Sequence, residues 1–204
     1  MDLREKILLK AVEVLPMYGV KSVTMDDLAH RLSMSKKTIY QHFKDKGALV
    51  DAVVEQILQQ DLDSLDHIKS KSNDAVEEIY LISLMLREML SNMDASILFD
   101  LKKYYPFAYE KFNCHKEENI KSSFEENLKQ GVKQGVFRAD INIEILSKLK
   151  MHTIEWSIDP DVFSPKDYKL FDVQIELFDH YMFGVLSETG HELLKKYKTK
   201  YEKK

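Results

Sequence analysis

The sequence predicts an all-α protein: an N-terminal three-helix helix-turn-helix domain, then a larger helical domain. Only six glycines and four prolines occur in 204 residues, so long helices with few breaks are expected. Apolar residues recur at helical spacing along most of the chain, and no stretch alternates with the period of two that a strand needs. With 44% hydrophobic and 31% charged residues, the chain has the apolar content for a buried core.

The elements follow in order. A first helix is expected from Asp2 to Tyr18, with Ile7, Ala11, Val14 and Leu15 as its apolar stripe and Gly19 as the left-handed residue after it. Pro16 removes one hydrogen bond from the last turn. Thr24 caps a second helix, and Asp27, three residues on, forms a capping box with aspartate in place of glutamate. Met25, Leu28, Ala29 and Leu32 give that helix one apolar stripe. Ser33-Met34-Ser35 interrupts it, and Ser35 caps a third helix running from Lys36 to about Phe43. Asp45 caps a fourth, striped by Leu49, Val53, Ile57 and by Val50, Val54, Leu58. Further helices are expected at 74–91, 95–104, 107–133 (after Pro106 and closing at Gly135), 143–157 and 166–188. A loop at Asp159-Pro160 and Ser164-Pro165 separates the last two, and a short lysine-rich tail follows Gly190.

Charge is uneven. Residues 1–50 hold nine Lys/Arg against six Asp/Glu, and residues 190–204 hold six lysines against two glutamates. With +3 and +4 at the two ends, a total of −4 leaves −11 on residues 51–189. A basic head on an acidic body points to polyanion contact confined to the head. The single cysteine, Cys114, excludes an internal disulfide and fits a reducing cytoplasm. The first fifteen residues are amphipathic and acidic at Asp2, Glu5 and Glu13, unlike a signal peptide, and no apolar run reaches membrane-span length.

The third helix concentrates the chemistry. With Ile39 at the centre of its buried side, 100° per residue brings Phe43 inward, where both meet Leu28, Leu32 and Met34. Lys37, Gln41 and Lys44 emerge on the far side, flanked by Thr38 and Tyr40. These groups can donate to base edges and phosphates. A lysine-rich helix is more often a solvated face; the short capped helix and tight turn before this one favour DNA contact.

Thr24-x-x-x-Leu28-Ala29, then Ser35-x-x-Thr38-Ile39-Tyr40-x-His42-Phe43-x-x-Lys46-x-x-Leu49, resembles the DNA-binding signature of the TetR/AcrR family of transcriptional regulators. Tyr18-Gly19 and Gly131-x-x-x-Gly135-Val-Phe-Arg138 resemble that family too. The strong likeness covers about residues 5–55. It implies a homodimer whose third helix enters the major groove of a palindromic operator, most simply as a ligand-responsive repressor. Double-stranded DNA, a second copy of the chain and a hydrophobic or amphipathic small-molecule effector are the implied partners; no cofactor and no membrane are. Residues 1–45 would bind DNA, and 46–204 would bind ligand and dimerise, with 46–66 as connector. By that likeness Lys36, Lys37 and Gln41 are the candidate base readers: lysine suits guanine O6/N7 and glutamine suits adenine N6/N7. Thr24, Thr38, Tyr40, His42 and Lys46 are candidate phosphate contacts, beside the cap Ser35. Ser33 stands where the family usually has glycine and Lys37 where it often does, so a positive φ at Ser33 would cost roughly 1 kcal/mol.

In the body, the 143–157 and 166–188 helices carry apolar residues on two sides and so need two partners: the domain core, and either more core or a second subunit. Leu146, Leu149, Phe171, Ile175, Phe178, Met182 and Val185 are the candidate interface residues. Met85, Met89, Phe99, Tyr104, Tyr105, Phe112, Phe124, His152 and Trp156 are candidate lining for a ligand pocket, since methionines and aromatics suit an adaptable apolar cavity. Each is, taken singly, more often a core residue. A helical-bundle enzyme or metal protein is the competing class. Glu188-Thr-Gly-His191, His152-x-x-Glu155 and Cys114-His115 are its only motifs, each badly placed for one metal, and the chain has no HExxH, P-loop or GxSxG. We therefore expect no enzyme. The lysines of the tail read as a solvated end, or as a supplementary DNA contact.

Overall fold

The computed structural model describes residues 2–94, 96–164 and 166–201. Ala95, expected to start a helix, Pro165 of the expected loop, and the last three residues of the lysine-rich end lie outside them. Eleven α-helices are described: α1 Leu3–Tyr18, α2 Met25–Arg31, α3 Lys36–His42, α4 Lys46–Lys71, α5 Ala75–Ser91, α6 Ile97–Tyr104, α7 Pro106–His115, α8 Lys121–Lys133, α9 Ile143–Ser157, α10 Leu170–Val185 and α11 Glu188–Tyr201. A π-helical turn, Lys116–Ile120, joins α7 to α8. Among the described residues, the only β pairing is an isolated bridge between Phe137 and Leu186.

The chain divides into two compact units, Met1–Asp63 with Asn92–Lys116, and Ser64–Ser91 with Glu117–Lys204. The first is built around α1, whose Ile7, Ala11, Val14 and Leu15 are all buried, as their spacing requires. Leu28 of α2, Ile39 of α3, Leu49 and Val53 of α4 and Leu101 of α6 close this core. Its helices start where the sequence supplies side-chain caps. Asp2 accepts from the Glu5 amide at 2.7 Å, and Asp45 from the Ala48 amide at 2.7 Å. Pro16 lies in the last turn of α1, and its free carbonyl accepts from the Asp94 amide at 2.7 Å, satisfying one of the acceptors a helix end leaves open.

The second unit packs α5, α8, α9, α10 and α11 around Val76, Tyr80, Leu128, Phe178 and Met182. At Gly131 on α8 the Phe137 ring comes so close that a Cβ would sit 2.1 Å from its Cδ2, so the returning chain can cross only over glycine. The Val136 and Phe137 amides both donate to the Gly131 carbonyl at 3.0 Å.

Three expectations are corrected. The helix expected at 107–133 is broken at the π turn. The helix expected at 166–188 is shorter, because the chain enters it only at Leu170 and leaves it at Val185. The lysine-rich end is not a solvated tail: it is α11, docked by its buried Gly190, Leu194 and Tyr197. Gly190 does not terminate a helix; it lies in the first turn of α11, where a Cβ would meet the Val136 carbonyl oxygen at 2.0 Å. Residues 190, 194, 197 and 201 form a stripe at helical spacing that the surrounding lysines conceal. Lys198 pairs with Asp179 at 2.6 Å and Lys200 with Glu77 at 2.8 Å, while the Tyr197 hydroxyl donates to Asp74. Burial of that stripe overrides the roughly 1 kcal/mol that a helical glycine costs.

Candidate functional site

The α2–α3 segment is held from beneath. Ile39 is wholly buried and Phe43 nearly so, packed with Leu28 and the half-buried Leu32 and Met34. The Thr24 hydroxyl accepts from the Asp27 amide at 3.1 Å, and an Asp27 carboxylate oxygen accepts from the Thr24 amide at 2.8 Å, completing the capping box. These bonds hold the Asp27 carboxyl below its ordinary range, led by the one from the Thr24 hydroxyl. Ser33, in the turn, takes φ 52°, and is the one described non-glycine residue at positive φ. The departure from glycine therefore leaves the turn geometry in place and strains the serine instead. Ser35 accepts from the Thr38 amide at 3.1 Å and starts α3.

With one face of α3 buried, the other is open. Lys37 and Gln41 are exposed with no partner among the described residues, and Tyr40 is 42% exposed. Thr38 and His42 lie half-buried at the flanks. Lys36 is less free: its ammonium pairs with Asp26 of α2 at 2.8 Å, and that hydrogen bond raises its pKa. The Thr24 hydroxyl donates to Asp27 at 2.6 Å, so its proton is committed to the cap. Lys46 is half-buried and donates to the Lys21 carbonyl at 3.3 Å. Burial lowers its pKa, against the pull of Asp100 and Asp27. Of the nine candidate DNA contacts, Lys37, Tyr40 and Gln41 thus present the most available groups.

A cavity of about 30 Å³ lies inside the second unit, between α5, α8, α9 and α10. Its wall is apolar at Ile79, Ile82, Leu86, Phe124 and Phe178, and polar at Ser83, Arg87, Lys150, Thr153, Ser157 and Gln174. Of the nine candidate pocket residues only Phe124 lines it. Met85 and Met89 are half-buried on other faces of α5. Phe99 and Tyr104 are exposed, and with the half-buried Tyr105 and Phe112 they belong to the first unit. His152 and Trp156 stack on each other on the open side of α9, where His152 also meets Glu155 at 2.9 Å. The cavity's two cations, Arg87 and Lys150, escape an aromatic-and-methionine search. A different signal marks them: a basic residue in phase with small or apolar residues of one helix side, as Arg87 is with Ile79, Ser83 and Leu90, and Lys150 with Ser147, Ile154 and Ser157.

The candidate interface residues separate by burial. Phe178, Met182 and Val185 are buried inside the protomer and face its core, which corrects their placement at an interface. Leu146 and Ile175 are half-buried. Leu149 and Phe171 are exposed, as are Ile145 and Trp156 on the same side of α9 as Leu149, and Phe183 on α10. Among the described residues no helix is long and apolar enough to cross a membrane, and no three His, Cys, Asp or Glu side chains gather as a metal set.

A reading helix held from beneath by a capped partner helix defines the helix-turn-helix class. Residues 7–53 match the family model of the bacterial regulatory proteins, tetR family. The chain is 34% identical over 85 residues to the uncharacterized HTH-type transcriptional regulator YvaF of Bacillus subtilis, covering 41% of this chain and 45% of that one. It is 35% identical over 71 residues to the class C tetracycline repressor protein of Escherichia coli, covering 35% of this chain and 30% of that one. The matched stretches thus span less than half of either relative. A crystal structure of a TetR-family transcriptional regulator from Agrobacterium tumefaciens superposes with a TM-score of 0.75 over 90% of this chain and 97% of that one, at 14% identity, a likeness of fold. Residues 7–53 thus match the tetR family of bacterial regulatory proteins, and the chain as a whole shares the fold of a solved TetR-family regulator.

Proposed function

We propose that this protein is a cytoplasmic, sequence-specific DNA-binding regulator, a homodimeric repressor that leaves its palindromic operator when an apolar or amphipathic effector binds. The open face of α3 carries this reading: Lys37, Tyr40 and Gln41 project from a helix whose opposite side is locked by Ile39 and Phe43. Residues 1–45 form the DNA-reading part, and residues 46–204 the part that binds effector and dimerises. Gln41 and Lys37 read base edges, and Lys36 joins them on release from Asp26; Tyr40, His42, Thr38 and the α3 cap set register on phosphates. Lys46 reaches a phosphate on giving up the Lys21 carbonyl, which exchanges one acceptor for a charged one.

The open surface of α9 and α10 supports the dimer. Exposed Leu149 and Trp156 on α9 and Phe171 on the neighbouring α10 suit an isologous four-helix packing across a two-fold axis. The resemblance of the DNA-binding segment to a tetracycline repressor supports the repressor sense. Regulation then needs only that the effector prefer the form whose reading helices do not match two major grooves about 34–36 Å apart.

Selection of binding sites from random duplex DNA by the full chain, at about 150 mM salt where non-specific binding is weak, tests this reading. A short inverted repeat is expected. Lys37→Ala and Gln41→Ala should relax its sequence, whereas Tyr40→Ala should weaken binding to all sequences alike. Recovery of no motif would refute the reading.

A further inference from the structure

Two cations share the cavity of the second unit without an anion. Arg87 and Lys150 are each only 6% exposed, and neither has a carboxylate partner among the described residues. The Arg87 guanidinium lies 5.4 Å and the Lys150 ammonium 5.1 Å from the centre of the same Phe178 ring. Arg87 spends one Nη2 proton on Ser83 at 3.1 Å, while its Nε is buried with no acceptor among the described residues. Buried charges are normally paired, because leaving water costs more than an aromatic face returns. Burial, and next the neighbouring Arg87, pull the Lys150 amine down to about 8.

The other polar groups do not relieve this. Ser83 donates to the Tyr80 carbonyl at 2.7 Å, Thr153 to the Lys150 carbonyl at 2.8 Å and Ser157 to the Ile154 carbonyl at 2.7 Å, all back into their own helices. Gln174 donates one amide proton to the Ser157 hydroxyl at 3.5 Å, so the protons left for an occupant are its second one and those of the two cations. Such a donor set selects an acceptor that carries negative charge. A space of about 30 Å³ takes one or two waters, which matches a carboxylate better than the bulkier phosphate. The apolar part of the wall includes Leu86 and Leu177, both only half-buried.

We infer that the cavity is a binding site for a small-molecule carboxylate with an apolar body, its carboxylate held between Arg87 and Lys150 and its body lying against Leu86, Leu177 and Phe178. This rests on the cavity being the effector site proposed above, but it is read out without DNA.

Isothermal titration calorimetry of the full chain at pH 7 with octanoate, octan-1-ol, octylammonium and octyl phosphate tests it. Octanoate is expected to bind at least about tenfold more tightly than the alcohol or the amine, the factor a charge-assisted hydrogen bond supplies. Lys150→Met and Arg87→Met should each remove that preference. Lys150→Met keeps the apolar stem and removes a buried charge, so it should remain folded, which thermal unfolding checks, and it suffices if the arginine variant does not fold. Binding of octanol or octylammonium as tight as octanoate, tighter binding of octyl phosphate, no binding of any probe, or full preference in a folded Lys150→Met would each overturn the assignment. Octanoate binding that leaves operator affinity unchanged would instead overturn the effector role and keep the site.

Discussion

Lys150 also makes a sharp prediction about stability. Its amine is held at about 8 against an ordinary 10.5. The difference of about 2.5 units corresponds, at about 1.36 kcal/mol per unit, to a penalty on the order of 3 kcal/mol for keeping the charge folded. The sign follows from proton counting. Between about 8 and 10.5 the unfolded chain binds the proton and the folded chain does not, so stability rises with pH across that window. The penalty is complete below pH 8 and gone above 10.5. Burial pushes the hydroxyl of Tyr181, whose ring faces the amine, well above its usual value and so out of this window. Lys150→Met keeps the volume and removes the charge. At pH 7 the variant should be the more stable by up to about 3 kcal/mol, or roughly 6–12 °C in unfolding midpoint for a chain of this size. The excess should shrink steadily as pH is raised from 8 to 10.5. Calorimetric unfolding of both proteins at pH 7, 9 and 10.5 measures it, and the rest of the chain's pH dependence cancels in the difference. A variant less stable at pH 7, or an excess independent of pH, refutes the reasoning.

Other positions give separate tests. Ser33→Gly relieves roughly 1 kcal/mol of strain at φ 52° against at least roughly 0.5 kcal/mol of added chain entropy, so it should stabilise the first unit by at most about 0.5 kcal/mol; a lower midpoint would mean that the turn is not strained. Burial opposes ionisation of Glu77, but hydrogen bonds from Lys200, Asn73 and Tyr201 outweigh it and hold the carboxyl at about 2. Its stabilisation is complete above pH 4.5 and lost as pH falls through 2. Glu77→Gln should therefore unfold at higher pH in an acid titration followed by circular dichroism, and a titration matching the parent protein would show that α11 is anchored otherwise. Leu149→Asp, on the exposed face of α9, should sediment as a folded monomer, and the parent protein as the dimer proposed above; equal masses would remove Leu149 from the proposed interface.

Much of this protein is determined locally, and therefore by sequence. The caps at Asp2, Thr24, Ser35 and Asp45, the positive φ at Gly19 and the inward stripe Ile7–Ala11–Val14–Leu15 depend on residues within one or two helical turns of each other. The open side of α3 follows from the same periodicity, since burying Ile39 and Phe43 leaves Lys37 and Gln41 no other direction. The second unit is different because its decisive contacts span long stretches of chain. Gly190 looks like a helix terminator until Val136 is found pressed against it, and the lysines of α11 look solvated until Glu77 and Asp179 receive two of them. Apolar stripes state that Phe178 and Met182 are buried but not against what, so the helix side facing the core and the side facing outward could not be told apart from pattern alone. The cavity carries the same lesson. Arg87 and Lys150 lie on different helices, 63 residues apart in the chain, and only packing around Phe178 brings two unpaired charges to one place.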